Sequence, residues 1–291
     1  MIRSTPARRA VALAASVLLS LPVAGPSRAA PGGGVPREIR CTGPVVGCAE
    51  DAARLFGRIR DGLGCDHRAL FPVISVRFQE SLAAALRANA FREPRWVGGQ
   101  LNTGFLNEYL AVFHADREGR PVPVAWRVAF EAARSGDANA GQDVLLGANA
   151  HIQRDLPYVL ARFGPRSPDG SSRKPDYERV QEVLDRAYQP AVEDVARHYD
   201  PILALGDSRW NPIARYTARE LFHLWRETAW KHAWQLASAG DAAAYRRAER
   251  AVETNAAHWA VLLSAAPPSG YRAGRDNYCR THGHSMLRRS T

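Results

Sequence analysis

Apolar residues recur at spacings of three and four along almost the whole of this 291-residue chain, and nowhere do they alternate over a useful length. That period fits one face of an α-helix and not a half-buried strand. Asp51–Leu63 carries apolar residues at 52, 55, 56 and 59. Pro72 to Phe91 carries them at 76, 82, 83, 86 and 90, and Leu101 to Ala115 at 106, 109, 110 and 113. The break "REGRPVP" separates these from Ala125–Arg134. Asp143 to Phe163 then reads as two helical pieces meeting near Pro157. After the turn-rich "GPRSPDGSSRKP" at 164–175, a long helix is expected over Tyr177–Asp200. Two more follow the break "GDSRWNP", from Ile213 to about Ala239 and from Ala242 to about Ala266. The expectation is an all-α fold, a single bundle-like domain of seven or eight helices.

The chain ends divide off by composition. Residues 1–29 have arginines at 3, 8 and 9, an apolar run from Val11 to Val23, and small residues Ser27 and Ala29 before a cleavage point. This is the layout of a secretory signal peptide, and the run is short for a membrane span. A retained anchor is the other reading. The expected organisation is a signal over 1–29, a lead-in with a short helix over 30–66, a helical core over 67–266 and a basic tail over 267–291. No second apolar run of span length is expected, so no transmembrane segment would follow removal of the signal, and the protein is expected to be secreted. In an oxidising compartment Cys41, Cys48, Cys65 and Cys279 suit two disulfides. Three pairings are open; the simplest closes Cys41–Cys48 locally and ties the tail through Cys65–Cys279. Zinc ligation by the four is the rival.

The formal charge of +10 would fall to +6 with Arg3, Arg8, Arg9 and Arg28 gone, and it is dispersed rather than blocked. Nucleic acid is therefore not the expected partner.

The segment "LLGANAHIQRDLP" places His151 and Asp155 four residues apart, on one helical face. An imidazole and a carboxylate so aligned can hold a metal, or act as a base with its orienting partner. The plainer reading has Asp155 capping a helix that begins near Pro157. Asn149 falls on another face unless the backbone is distorted there. In "ARELFHLWRETAW", Glu220, His223 and Glu227 form a second stripe. It resembles half a di-iron site, or a zinc-ligand pair, or an exposed face of Glu–Arg pairs. His114 with Asp116 and His198 with Asp200 are lesser candidates beside loops. Trp225, Trp230, Trp234 and Trp259 are read as core, with an apolar pocket lining as the alternative. His282 and His284 sit in the basic tail, outside any expected site. The chain has no nucleophile elbow, P-loop, Rossmann glycine fingerprint or H-E-x-x-H motif.

Through Asn149, Ala150, His151, Ile152, Asp155, Leu156 and Pro157 the chain resembles a bacterial family known as domain of unknown function 5995. Supporting similarity lies at Phe91, Phe105, Tyr109, Trp126, Phe130, "QDVLLG" at 142–147 and "RETAWKHA" at 226–233. The resemblance spans about 67–265; it implies a helical fold and brings no activity. A looser likeness is to the zinc phospholipase C and P1-nuclease group, which presents His-x-x-x-Asp and His-x-x-x-Glu pairs from separate helices. That group's further His is missing, since 156–162 contain none, and so is its N-terminal Trp.

The leading expectation is an exported, metal-dependent hydrolase of an ester or phosphoester. His151, Asp155, His223 and Glu227 would hold zinc or another divalent metal, with Glu220 or Glu227 accepting a proton. Two alternatives accompany it: a non-enzymatic cell-envelope protein holding an apolar ligand, and a metal-free His151–Asp155 acid–base enzyme acting on a small, lipid-like substrate.

Overall fold

Helices form wherever the period of three and four is sustained, and the computed structural model describes residues 34–206, 212–264 and 271–283, apart from the side chains of 212–216. The expected signal, 1–29, and most of the break at 206–212 lie outside the described residues. Among the described residues there is no strand, only one isolated bridge between Arg166 and Ser172 inside the turn-rich loop. The described residues form ten α-helices: α1 (Val45–Leu63), α2 (Leu70–Arg87), α3 (Asn102–Arg117), α4 (Val124–Ser135), α5 (Ala140–Asn149), α6 (Leu156–Phe163), α7 (Lys174–His198), α8 (Pro212–Ala237), α9 (Ala242–Leu263) and α10 (Tyr271–His282).

Local chemistry sets the helix ends. Asn139 opens α5 with a reciprocal box, its side chain accepting from Gln142 N–H while the Gln142 side chain accepts from Asn139 N–H. Asp241 caps α9 by accepting from Ala244 N–H. Gly136 stops α4 at φ 68°, a left-handed position that glycine adopts without Cβ strain. Two stretches widen into π-helix: Arg95–Leu101 leading into α3, and Ala150–Asp155 joining α5 to α6.

Helix α2 is the hub, packed by α1, α5 and α7, while α9 lies against α4, α5 and α8. With the 3-10 turn before it, α2 spans His67–Arg87 and is long and apolar enough to cross a membrane; 67% of an apolar 18-residue window within it is buried inside the structure. Its composition serves the interior here.

The segment expected as a lead-in carries α1, which begins at Val45 and buries Ala52, Leu55, Phe56 and Ile59. The basic tail contains α10, whose Arg275 and Cys279 are buried. Arg275 donates to Asp143 at 2.6 Å and to the Ala138 carbonyl at 2.7 Å, and His67 bonds Asp276 at 2.8 Å. Burial pushes the Asp143 carboxyl up to about 7, against the pull of the Arg275 guanidinium. These partners lie far along the chain, beyond the reach of local sequence spacing.

The disulfides follow the simplest expected pairing, Cys41–Cys48 and Cys65–Cys279. The second closes 214 residues of chain and anchors α10. Replacing both Cys65 and Cys279 with Ser should lower unfolding stability by roughly 2–4 kcal/mol. The double Cys41→Ser, Cys48→Ser variant should lose less, because its closed loop spans only seven residues. Urea denaturation of the two variants beside the wild type measures both losses.

Candidate functional site

His151 and Asp155 sit on the π-helical turn, and the local sequence explains the turn. Pro157 has no N–H, and its ring would crowd the carbonyl four residues back, that of Gln153, in a regular helix. The widened Ala150–Asp155 turn lies just before it, with Leu156 N–H bonded to His151 C=O. Such widened turns often mark functional positions. Gly147 permits the close approach of α5 to α2, since a Cβ there would lie 2.9 Å from the Phe71 ring.

Asp155 is fully buried and makes no helix cap. Instead its Oδ2 accepts from His151 Nδ1 at 3.0 Å and from Trp126 Nε1 at 2.9 Å, and its Oδ1 accepts from Arg154 at 3.0 Å. Arg154 is in turn bonded to Glu253 on α9 at 2.9 Å. The carboxylate thus fixes the imidazole with the proton on Nδ1, which turns the lone pair to Nε2. Around the ring stand aromatic groups: Phe105 stacks on it with centroids 3.3 Å apart, and Phe71 meets it edge-on at 5.1 Å. Burial drives the His151 pKa below its ordinary value, and Asp155 opposes that shift.

His151 lines a cavity of about 260 Å³ bounded by α2, α3, α5, α7 and α8. Most of the wall is aliphatic or aromatic, including Phe71, Phe78, Leu106, Val144 and Phe222. Two of the other polar groups on the wall, Ser75 and Gln79, are satisfied within the protein. Ser75 donates to the Phe71 carbonyl, and Gln79 exchanges two amide bonds with Asn102 at 2.8 and 3.0 Å. His151 Nε2 has no hydrogen-bond partner among the described residues. An apolar chamber with a few placed polar groups is the usual form of a small-molecule site.

The second expected stripe does not join this one. Glu220 and His223 are exposed on α8, and Glu227, half-buried, is ion-paired with Lys174. Among the described residues no group of three or more His, Cys, Asp or Glu could hold a metal ion. The four-ligand set of His151, Asp155, His223 and Glu227, with Glu220 as proton acceptor, is therefore not assembled. Helical spacing aligns residues on a stripe but does not say which way the stripe faces, and this one faces solvent.

The lesser candidates are structural. His114 Nε2 bonds the Pro36 carbonyl at 3.0 Å, and Asp116 pairs with Arg68 and Arg134. His198 bonds the His282 carbonyl, and Asp200 accepts from Ala140 N–H and the Tyr271 hydroxyl. His198 and Asp200 are buried rather than solvated. The four tryptophans belong to the core. Trp225 and Trp259 lie 3.2 and 2.9 Å from the amide of Gln153, whose oxygen accepts from both indoles once it is turned towards them. Asn149 donates to the Ala256 carbonyl at 2.9 Å, tying the turn to α9. Sequence reasoning missed the ring stack of Phe105 and the indole of Trp126 as partners of the pair. Both residues entered the sequence reading only as supporting positions of the family resemblance.

A model of a family of unknown function, DUF5995, matches residues 50–266. No curated protein and no solved structure matches the chain. The likeness to the zinc phospholipase C group finds no support in these comparisons.

The depressed His151 pKa has a consequence for stability. The unfolded chain protonates this residue near its ordinary 6.5 while the native state resists. The stability contributed by neutral His151 is therefore present above pH 6.5 and is lost as the pH falls below it. A His151→Gln variant should lose less stability than the wild type between pH 7 and pH 5, as urea midpoints across that range will show. Parallel losses in the two proteins would contradict the shift.

Proposed function

The chain belongs to the family of unknown function DUF5995, and on that footing we propose that it performs metal-free proton transfer on a lipid-like molecule, with His151 as base and Asp155 as its orienting partner. One observation carries the reading: the imidazole is tied through Nδ1 to a buried carboxylate while it lines a 260 Å³ apolar cavity. A neutral imidazole is a competent base at neutral pH, and the buried Asp155 stabilises the imidazolium that forms. The stacked face of Phe105 adds a cation–π contribution in that state. The ground-state ring is uncharged among aromatic groups; a proton taken from the substrate onto Nε2 leaves the substrate anion beside the imidazolium, and its return to another atom of the same molecule restores the neutral base. The cavity wall selects the substrate by excluding water and rewarding apolar surface. We place this activity outside the cytoplasm, because two disulfides and the signal-like residues 1–29 suit an oxidising compartment.

The metal-dependent hydrolase draws no comparable support, since its ligands would have to come from the exposed face of α8. Incubation with a lipid extract, followed by mass spectrometry, discriminates the readings. The wild type should convert at least one species in the presence of a chelator. Asp155→Asn keeps the shape of the side chain but no longer enforces the tautomer, and should be roughly 10²–10⁴-fold slower. Conversion that stops with chelator and returns with zinc would overturn the proposal. Binding without conversion would reduce the protein to a carrier.

A further inference from the structure

A second cavity, of about 60 Å³, adjoins the chamber at His151, and the two share Phe78, Phe105, Ile152 and Leu184. Leu82, Leu101 and Val180 also line this annex, which presents almost no polar surface. The polar residues on its wall are engaged elsewhere. Asn102 is held in the amide pair with Gln79 at 2.8 and 3.0 Å. Arg226 donates to the Tyr177 carbonyl, and the Tyr177 hydroxyl donates to the Arg226 carbonyl at 2.7 Å. What these side chains present to the annex is therefore carbon.

Protein interiors close over gaps of this size, because an empty space forfeits the contacts of its lining. Beside a ligand chamber, such a gap is room for part of the ligand, and its chemistry decides which part. A hydroxyl, carboxylate or phosphate placed there would give up water for a space with no donor or acceptor, at high cost. A hydrocarbon chain end gains by leaving water. The chamber, by contrast, has His151 on its wall, with Nδ1 committed to Asp155 and Nε2 left over. A dry cavity of about 150 Å³ holds one benzene ring. On that scale the chamber takes about ten heavy atoms and the annex about two or three more.

We infer that the ligand is a single-chain aliphatic compound of medium length, its hydrocarbon end passing Phe105 into the annex and its polar, reacting end staying beside His151. This assignment rests on the proposed cavity function and names the class of molecule that the cavity takes. The annex then acts as a length gauge. A chain that fills it is held with its reacting carbon at Nε2, and a shorter chain loses that fix.

Equilibrium dialysis with the straight-chain alcohols from octanol to dodecanol tests it. Each methylene buried should tighten binding about fourfold. In the wild type that gain should continue past nonanol, which alone fills the chamber, to about undecanol. Val180→Phe puts a ring into the annex, and the gain should then stop about two carbons earlier. Leu101→Ala enlarges the annex, and dodecanol should gain where the wild type no longer does. A gain that already ends at nonanol in the wild type would overturn the assignment, a measurement that needs no variant to fold. So would one length profile shared by all three proteins, or a loss in Val180→Phe that is uniform at every length. If no alcohol binds the wild type, the chamber reading itself fails and the annex assignment falls with it.

Discussion

The buried carboxylate of Asp155 holds the molecule together at the point where its chemistry would occur. It accepts from an indole on α4, an imidazole on the π turn and a guanidinium that reaches on to α9. A charge wholly removed from water is tolerable only when its lone pairs are so filled. Removal of Asp155 would leave three donors facing an apolar interior. The same set of bonds therefore fixes the helix packing and the tautomer of His151, and the site cannot loosen without the core loosening too.

The π turn makes that arrangement possible. A regular helix from Ala140 to Phe163 would meet Pro157 in its middle and bend there. The widened segment accommodates the proline, lets Asn149 reach α9, and leaves His151 on the cavity side with Asp155 behind it. Gly147 brings Phe71 against α5, so the imidazole is enclosed by rings from α2 and α3. Small residues, a proline and two polar groups within a dozen positions act as one local device.

Helix content was legible because the apolar period persists through almost every segment of the core. The His151–Asp155 pair was legible because four-residue spacing survives the change from α to π geometry. Its stated partner stripe was not: Glu220, His223 and Glu227 share a helical face, but periodicity does not tell a wet face from a dry one. Arg226, beside that stripe in sequence, points to the interior instead and was passed over as surface charge. The helix at 271–282 was read as tail, because its stabilising partners, Asp143, Asp200, His67 and Cys65, all come from distant parts of the chain. The cavity itself has no sequence signature, since its lining residues look like any helical core.

Burial and the Asp155 carboxylate act on His151 in opposite directions. Burial favours the neutral ring, because a charge among apolar groups loses its hydration. The carboxylate fixes the ring proton on Nδ1 and so leaves Nε2 as the free ring nitrogen of a residue on the cavity wall. Phe105, stacked on the imidazole, lines both cavities. The ring that keeps His151 dry is therefore part of the same wall that shapes the space around it.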